Sequence, residues 1–438
     1  MKPVLTPTLL ALALALTLAG TAQADNSAAG LQQQVDQLNK QLADMKNELD
    51  AIAAAQGSTS PKLAAFEKLS IWGYGEIYYA RPTHVSRNTQ VDLARGVFGI
   101  GYQFDDNTRF NSEYEVEHGV SSASDPGEFE VEQLYVDHKV NDSYSVQTGL
   151  FLIPAGLLNE SHEPTNFYGV QRNFVEKLII PSTWREGGVA LHGDSKGGLR
   201  WSLGLTTGSN LSAWEINPET PSYTTALDMQ NEAGPLQATH QELALANGQN
   251  LSQFLSLNYL GLPGLDLGGS VFTGLASQSA SASKQRVTLW ETHGRWTPGK
   301  LELSALYAHG SISNTADVNI LTPGASNPMP ASFYGYYGQA AYTAWQHGES
   351  RISPFVRAER YNMADTVNGL APGFGATPSG PVVLDDGSTG FWPKQADTVY
   401  TVGANYYLNA NVVFKADYQE FQQNKDFNRF DLGLGVAF

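Results

Sequence analysis

The chain ends Phe427-Asn428-Arg429-Phe430-Asp431-Leu432-Gly433-Leu434-Gly435-Val436-Ala437-Phe438. Successive side chains of an extended strand point to opposite faces. Phe430, Leu432, Leu434, Val436 and Phe438 therefore share one face, and Arg429, Asp431, Gly433, Gly435 and Ala437 share the other. One face is oily; the other is charged or small. A closing strand of a soluble barrel would alternate in the same way, but it would rarely leave a bare aromatic carboxyl terminus at a sheet edge. In a transmembrane barrel the last strand pairs with the first, and its oily face meets lipid. A terminal Phe after such alternation is similar to the assembly signal of bacterial outer-membrane barrels.

Composition agrees with that reading. A chain of 438 residues could form two or three soluble domains or one large barrel, and 43 glycines, 11% aromatics and only 16% charged residues favour the barrel. Although 42% of the residues are hydrophobic, no apolar run of the length a spanning helix needs follows the first two dozen residues. Residues 1–24 read as a secretory signal peptide: Lys2, an apolar run over 9–18, then Ala22-Gln23-Ala24 before a cut at Asp25. The mature chain is expected outside the cytoplasm. With no cysteine, disulfides, thiolate ligands and thiol nucleophiles are absent. A net charge of −17 argues against nucleic acid as a partner. The histidines are too dispersed for a metal site, and no cofactor motif occurs.

After the leader, Leu31, Val35, Leu38, Leu42, Met45, Leu49 and Ile52 recur at steps of four and three. This seam predicts a short α-helical coiled coil in a periplasmic segment, residues 25–60, with a linker beginning at Gly57. About three heptads are too few to hold alone, so a homotrimer of barrels is expected to bring the helices together. A lone amphipathic helix or a loose spacer fits the same residues.

Over residues 66–438 the period is two. Seven short turns punctuate it: Asp105-Asp106-Asn107, Asn141-Asp142-Ser143, 194–198, 261–264, Pro298-Gly299-Lys300, His347-Gly348 and Asn409-Ala410. Longer polar stretches separate the hairpins, near 81–94, 119–128, 154–186, 208–250, 276–284, 313–332, 362–395 and 422–426. Seven turns alternating with eight loops predict an all-β fold, a 16-stranded antiparallel transmembrane β-barrel of the porin kind, with short turns and both termini on the periplasmic side. The strand faces agree: Phe110, Tyr114 and Val116 oppose Arg109, Asn111, Glu113, Glu115 and Glu117. That many charges on one face would be costly in a dry core and suit a water-filled lumen. Sixteen strands also make a barrel too wide for strand side chains to plug. Trp72, Tyr74, Trp290, Trp296, Tyr336 and Tyr406 are among the aromatics placed for the headgroup girdles.

Five segments in order resemble the phosphate-selective porin O and P family: Gly149-Leu150-Phe151-Leu152-Ile153-Pro154-Ala155-Gly156, Trp184-Arg185-Glu186-Gly187, His293-Gly294-Arg295-Trp296, Pro354-Phe355-Val356-Arg357-Ala358-Glu359-Arg360-Tyr361, and Val402-Gly403-Ala404-Asn405-Tyr406-Tyr407-Leu408-Asn409. The leading coil also recurs in relatives such as the dicarboxylate-associated porins. The resemblance implies a trimeric outer-membrane channel in the lipid bilayer, and phosphate selectivity through lumenal arginines and lysines. Lysines are few here and carboxylates outnumber basic residues, so the resemblance carries the channel further than it carries phosphate.

The third long stretch, 154–186, is long enough to enter the lumen as a constriction. It holds Glu160, His162, Glu163 and Glu176 with Arg172, Lys177 and Arg185, a set that could place carboxylates opposite cations across the narrowest point. Arg295, Arg357, Glu359 and Lys415 are further lumen candidates, with wall-holding ion pairs as the plainer reading of most of them. A surface loop on the rim is the alternative for 154–186. Gly193-Asp194-Ser195-Lys196-Gly197 matches a hydrolase nucleophile elbow, but that chemistry needs a helix next and a strand follows instead. The sequence thus predicts a non-enzymatic porin for small hydrophilic solutes, possible anion selectivity included. A substrate-specific phosphate or dicarboxylate channel, or a barrel anchoring the envelope through its coil, are the alternatives.

Overall fold

A computed structural model describes residues 37, 40, 41, 43, 44, 46, 66–120, 127–216, 234–278, 284–372, 381–383, 389–391 and 394–438. The signal peptide lies outside them. Of the expected coil, Gln37, Lys40, Gln41, Ala43, Asp44 and Lys46 are helical and exposed, while its apolar seam lies outside the described residues.

The barrel unit runs Lys68–Phe438. Its strands are β1 (Leu69–Pro82), β2 (Gln90–Gln103), β3 (Thr108–Glu117), β4 (Phe129–Asn141), β5 (Tyr144–Leu152), β6 (Arg185–Asp194), β7 (Leu199–Thr206) and β8 (Ser252–Tyr259). They continue as β9 (Leu265–Leu275), β10 (Arg286–Trp296), β11 (Leu301–Ile312), β12 (Ser332–Tyr342, resuming at Trp345–His347), β13 (Ser350–Thr366), β14 (Ala396–Tyr407), β15 (Val412–Phe421) and β16 (Arg429–Ala437). Each pairs antiparallel with its neighbours in sequence, and β1 pairs with both β2 and β16, so the sheet closes. Pro381–Val383 and Thr389–Phe391 form a separate small hairpin between β13 and β14.

All seven expected turns join adjacent strands. In the first, the Asp105 carboxylate accepts the Asn107 and Thr108 backbone N–H groups at 2.9 Å each. Those bonds, the Asn107 one foremost, hold its carboxyl below the usual aspartate range. The seam uses the last residue: Phe438 N–H donates to Gly73 O at 2.8 Å and Gly73 N–H to Phe438 O at 3.1 Å. A Cβ on Gly73 would lie 2.7 Å from Val97 O and 2.8 Å from the Phe438 ring, so the close approach requires glycine.

Inside and outside follow from burial. Phe430 and Leu432 are 41% and 44% exposed, whereas Arg429 and Asp431, which alternate with them, are 3% and 0%. The grease faces out and the ions face in, the reverse of a soluble core. The expectation of a uniformly wet interior needs correction, however. At their long-loop ends, β8–β12 turn Phe254, Phe272, Val287, Leu289, Leu306, Ala308, Ile312 and Phe333 inward, all buried. They meet Phe174, Val175, Leu178, Ile179, Ile180 and Trp184 of the segment between β5 and β6. The barrel is too wide for strand side chains to fill, but a loop brings a second apolar surface into it.

Candidate functional site

That segment, residues 153–184, is folded inside the barrel and fixed on three sides. At its base, Asn159 Nδ2 donates to Ile153 O (2.7 Å) and Trp184 O (2.9 Å), and its Oδ1 accepts Trp184 N–H (2.7 Å). One amide thus ties the outgoing and returning arms together. Glu176 closes the loop on itself: Oε1 accepts the Leu157 and Leu158 N–H groups at 2.6 and 2.8 Å, and Oε2 accepts Asn173 Nδ2 at 2.7 Å. Gly156, with φ +76°, makes room for that carboxylate, because a Cβ there would sit 2.4 Å from Oε1. The Phe174 turn leads into one wide helical turn, Val175–Ile179, whose apolar side chains enter the dry core.

Toward β1–β4 the anchor is His162. Its Nδ1 faces Asn159 O at 2.8 Å, which assigns the proton there. The Tyr74 hydroxyl (2.5 Å) and the Glu132 carboxylate (2.8 Å) converge on Nε2. Arg95 spans the same place, donating to His162 O at 2.9 Å and to Glu76 Oε1 at 2.6 Å. Toward β14–β16, Asn405 Nδ2 donates to Phe167 O (3.0 Å), Val170 N–H donates to Asp417 Oδ2 (2.6 Å), and Lys415 Nζ lies 3.4 Å from the Phe167 ring centroid. Gly433 and Gly435 leave space for Val170 and Pro164; a Cβ on Gly435 would lie 2.5 Å from Pro164 Cβ. Toward β12 and β13, Tyr337 donates to Glu176 Oε2 (3.0 Å), Phe174 N–H donates to Glu359 Oε2 (2.5 Å), and Arg357 donates to Glu359 Oε1 (2.9 Å) and Tyr168 O (3.2 Å).

The ten residues singled out from sequence divide into two groups. Glu176, Arg357, Glu359 and Lys415 bind the loop to itself or to the wall. Arg172 is buried within the loop, donating to Ser182 and Thr183 hydroxyls at 3.1 and 3.3 Å. Arg185 bridges Glu130 (2.5 Å) and Glu242 (3.0 Å), tying the loop base to β4 and to the long segment after β7. Glu160 is exposed to the lumen, and Glu163, Lys177 and Arg295 are half-buried. Glu163 accepts Asn166 Nδ2 at 2.7 Å. Arg295 borders a tight space beside Glu302, Ser304, Gln339 and the loop's Asn166 and Tyr168. Among the described residues, neither Lys177 nor Arg295 has a carboxylate within ion-pair distance, unlike Arg95, Arg357 and Arg429.

Sequence reasoning missed Tyr74, Glu132, Tyr337 and Asn405 as loop anchors. Glu132 is the extra residue of a bulge between Gln133 and Val131, which breaks the simple alternation. The hydrolase-like motif is a hairpin turn: Ser195 Oγ accepts Leu199 N–H at 3.0 Å and Gly198, at φ +82°, feeds β7.

A closed antiparallel barrel of sixteen strands, oily outside and constricted by its own loop, is the architecture of a porin, a channel of the bacterial outer membrane. The chain belongs to the phosphate-selective porin O and P family, which matches it over residues 71–429. A relative from Aquifex aeolicus (strain VF5), described as an uncharacterized protein, is 26% identical over 383 residues, covering 85% of this chain and 81% of its own. Similar solved structures include Salmonella typhi OmpF in complex with daunomycin (11% identity, 84% of this chain, 97% of that one, TM-score 0.49). The outer-membrane channel DcaP of Acinetobacter baumannii (10%, 84%, 97%, 0.47) and an anion-selective porin from Comamonas acidovorans (11%, 84%, 99%, 0.46) are also similar.

Proposed function

We propose that this porin is a passive channel for small hydrophilic solutes, working as a homotrimer with its N-terminal helix in the periplasm, and that its lumen weakly prefers cations. The observation that carries the channel reading is the loop held inside a closed barrel, where it narrows the path. The charge reading comes from side chains left open to the lumen. Glu113, Glu117, Asp137, Glu160, Asp266 and Glu302 are half-buried or exposed there, against Arg109, Lys177, Arg200, Arg295 and Arg351. Most other inward cations are already neutralised by an adjacent carboxylate, which leaves the accessible field acidic.

A phosphate- or dicarboxylate-specific pore is the competing reading, supported by the family and by Lys177 and Arg295, which among the described residues have no carboxylate within ion-pair distance. Planar-bilayer recording separates the two. Stepwise insertion with three conductance levels is expected, and in a salt gradient the reversal potential should take the sign of cation preference. A reversal potential of the opposite sign favours the anion-specific pore, and a protein that inserts without conducting removes both.

A further inference from the structure

On the short-turn side of the inner loop, a cavity of about 290 Å³ lies between the loop and five consecutive strands, β4–β8. Asp137, Gln147, His192, Ser202 and Asn258 contribute one inward side chain from each strand, and Glu160 faces them from the loop. We propose that this alcove is a recognition subsite for a small polyhydroxylated solute bearing a protonated amine. The proposal rests on the channel reading above and adds a solute class to it.

Two atoms in the alcove lack partners among the described residues. Ser202 is 6% exposed and its hydroxyl meets no hydrogen-bond partner there; Asp137 Oδ1 is shielded from bulk solvent and also meets none. Buried polar atoms left open in this way are costly unless something fills them. A solute with hydroxyls and an ammonium group supplies donors to both. Gln147, His192 and Asn258 are already held in place. His192 Nε2 meets Gln147 Oε1 at 3.0 Å, Asn258 Oδ1 meets His293 Nε2 at 2.9 Å, and Asn258 Nδ2 donates to Ser256 Oγ at 3.2 Å.

Charge then selects within the polyols. Arg200 borders the alcove, but Asp194 engages its guanidinium at 3.0 Å. Asp137 and Glu160 carry no ion pair among the described residues, so the alcove offers carboxyl groups and no cation free of a partner. An ammonium placed near them gains a charge-assisted hydrogen bond, and an anionic polyol is repelled. Binding is expected to be weak, as conduction requires a solute that enters and also leaves.

The test is block of single-channel current by glucosamine, glucose and gluconate at pH 7, in wild type, Asp137→Asn, Glu160→Gln and Ser202→Ala. Current in salt alone reports that each variant has folded and inserted. Wild type should be blocked by glucosamine at concentrations about tenfold below those for glucose, with gluconate weakest. Asp137→Asn should bring glucosamine to the level of glucose, Glu160→Gln should do so in part, and Ser202→Ala should weaken both sugars alike. Equal block by all three solutes, or strongest block by gluconate, overturns the subsite and leaves the channel standing. Absence of any current from the inserted wild-type protein overturns both.

Discussion

Replacing Glu176 with alanine should release one arm of the inner loop while leaving the barrel closed. Its Oε1 accepts the two backbone N–H groups of Leu157 and Leu158, residues only 8% and 5% exposed. Leaving a buried donor unpaired costs about 1–3 kcal/mol, so the pair amounts to about 2–6 kcal/mol, before any contribution from Asn173 and Tyr337, which are 3% and 5% exposed. At about 1.4 kcal/mol per decade, the open population of residues 154–162 should rise by one to four orders of magnitude. The helical turn Val175–Ile179 stays in the dry core, so the effect is confined to the arm that carries Glu160. Glu176→Gln keeps Oε1 but turns a donor toward Asn173 Nδ2, and should show a smaller loss. Amide hydrogen exchange at Leu157 and Leu158 measures the opening, and open-channel current noise measures its consequence. Wild-type protection of both amides in Glu176→Ala would refute the assignment of this carboxylate as the loop's clasp.

At the seam, Gly73→Val should force Val97 O and the Phe438 ring apart, lowering the temperature at which the folded band is lost on an unboiled gel; deleting Phe438 should do the same by removing two backbone bonds. Lys177→Ala and Arg295→Ala should each move the reversal potential further toward cation preference, whereas Arg357→Ala should instead raise current noise by freeing Tyr168. Ser195→Ala should leave conductance unchanged, since that hydroxyl only caps a hairpin. Because the folded Asp105 carboxyl titrates below its unfolded range, its contribution to the first turn is present above about pH 4 and lost as pH falls through the folded value; exchange at Asn107 and Thr108 should accelerate in acid.

The turns and the outward stripes were legible because each is a local property. Asn-, Asp- and Gly-rich turns and the period-two alternation do not depend on distant partners, so the strand number and the lipid face follow from them. For the inner loop, length and place after β5 allowed a lumenal constriction and a surface loop on the rim alike. What alternation does not report is the medium on the other face. Val287, Leu289 and Trp290 read as a run apolar on both sides, and such strand ends in β9–β12 were the available sign that something oily waits within the lumen. The roles of Glu359 and Lys415 were hidden for a different reason: whether an inward charge meets water or the loop depends on contacts across more than a hundred residues of chain. Bulges such as the one at Glu132 add a parity error that no periodic count detects.

The dry contact between the loop and β8–β12 also fixes the bore. Withdrawing the Phe174–Trp184 portion would wet some ten large side chains, at about 1.5 kcal/mol or more apiece, a cost well above the stabilities of a few kcal/mol that mobile flaps have to overcome. A swinging gate is therefore the wrong image for this pore. That side of the constriction is set once, when the barrel is assembled, and stays with the wall thereafter.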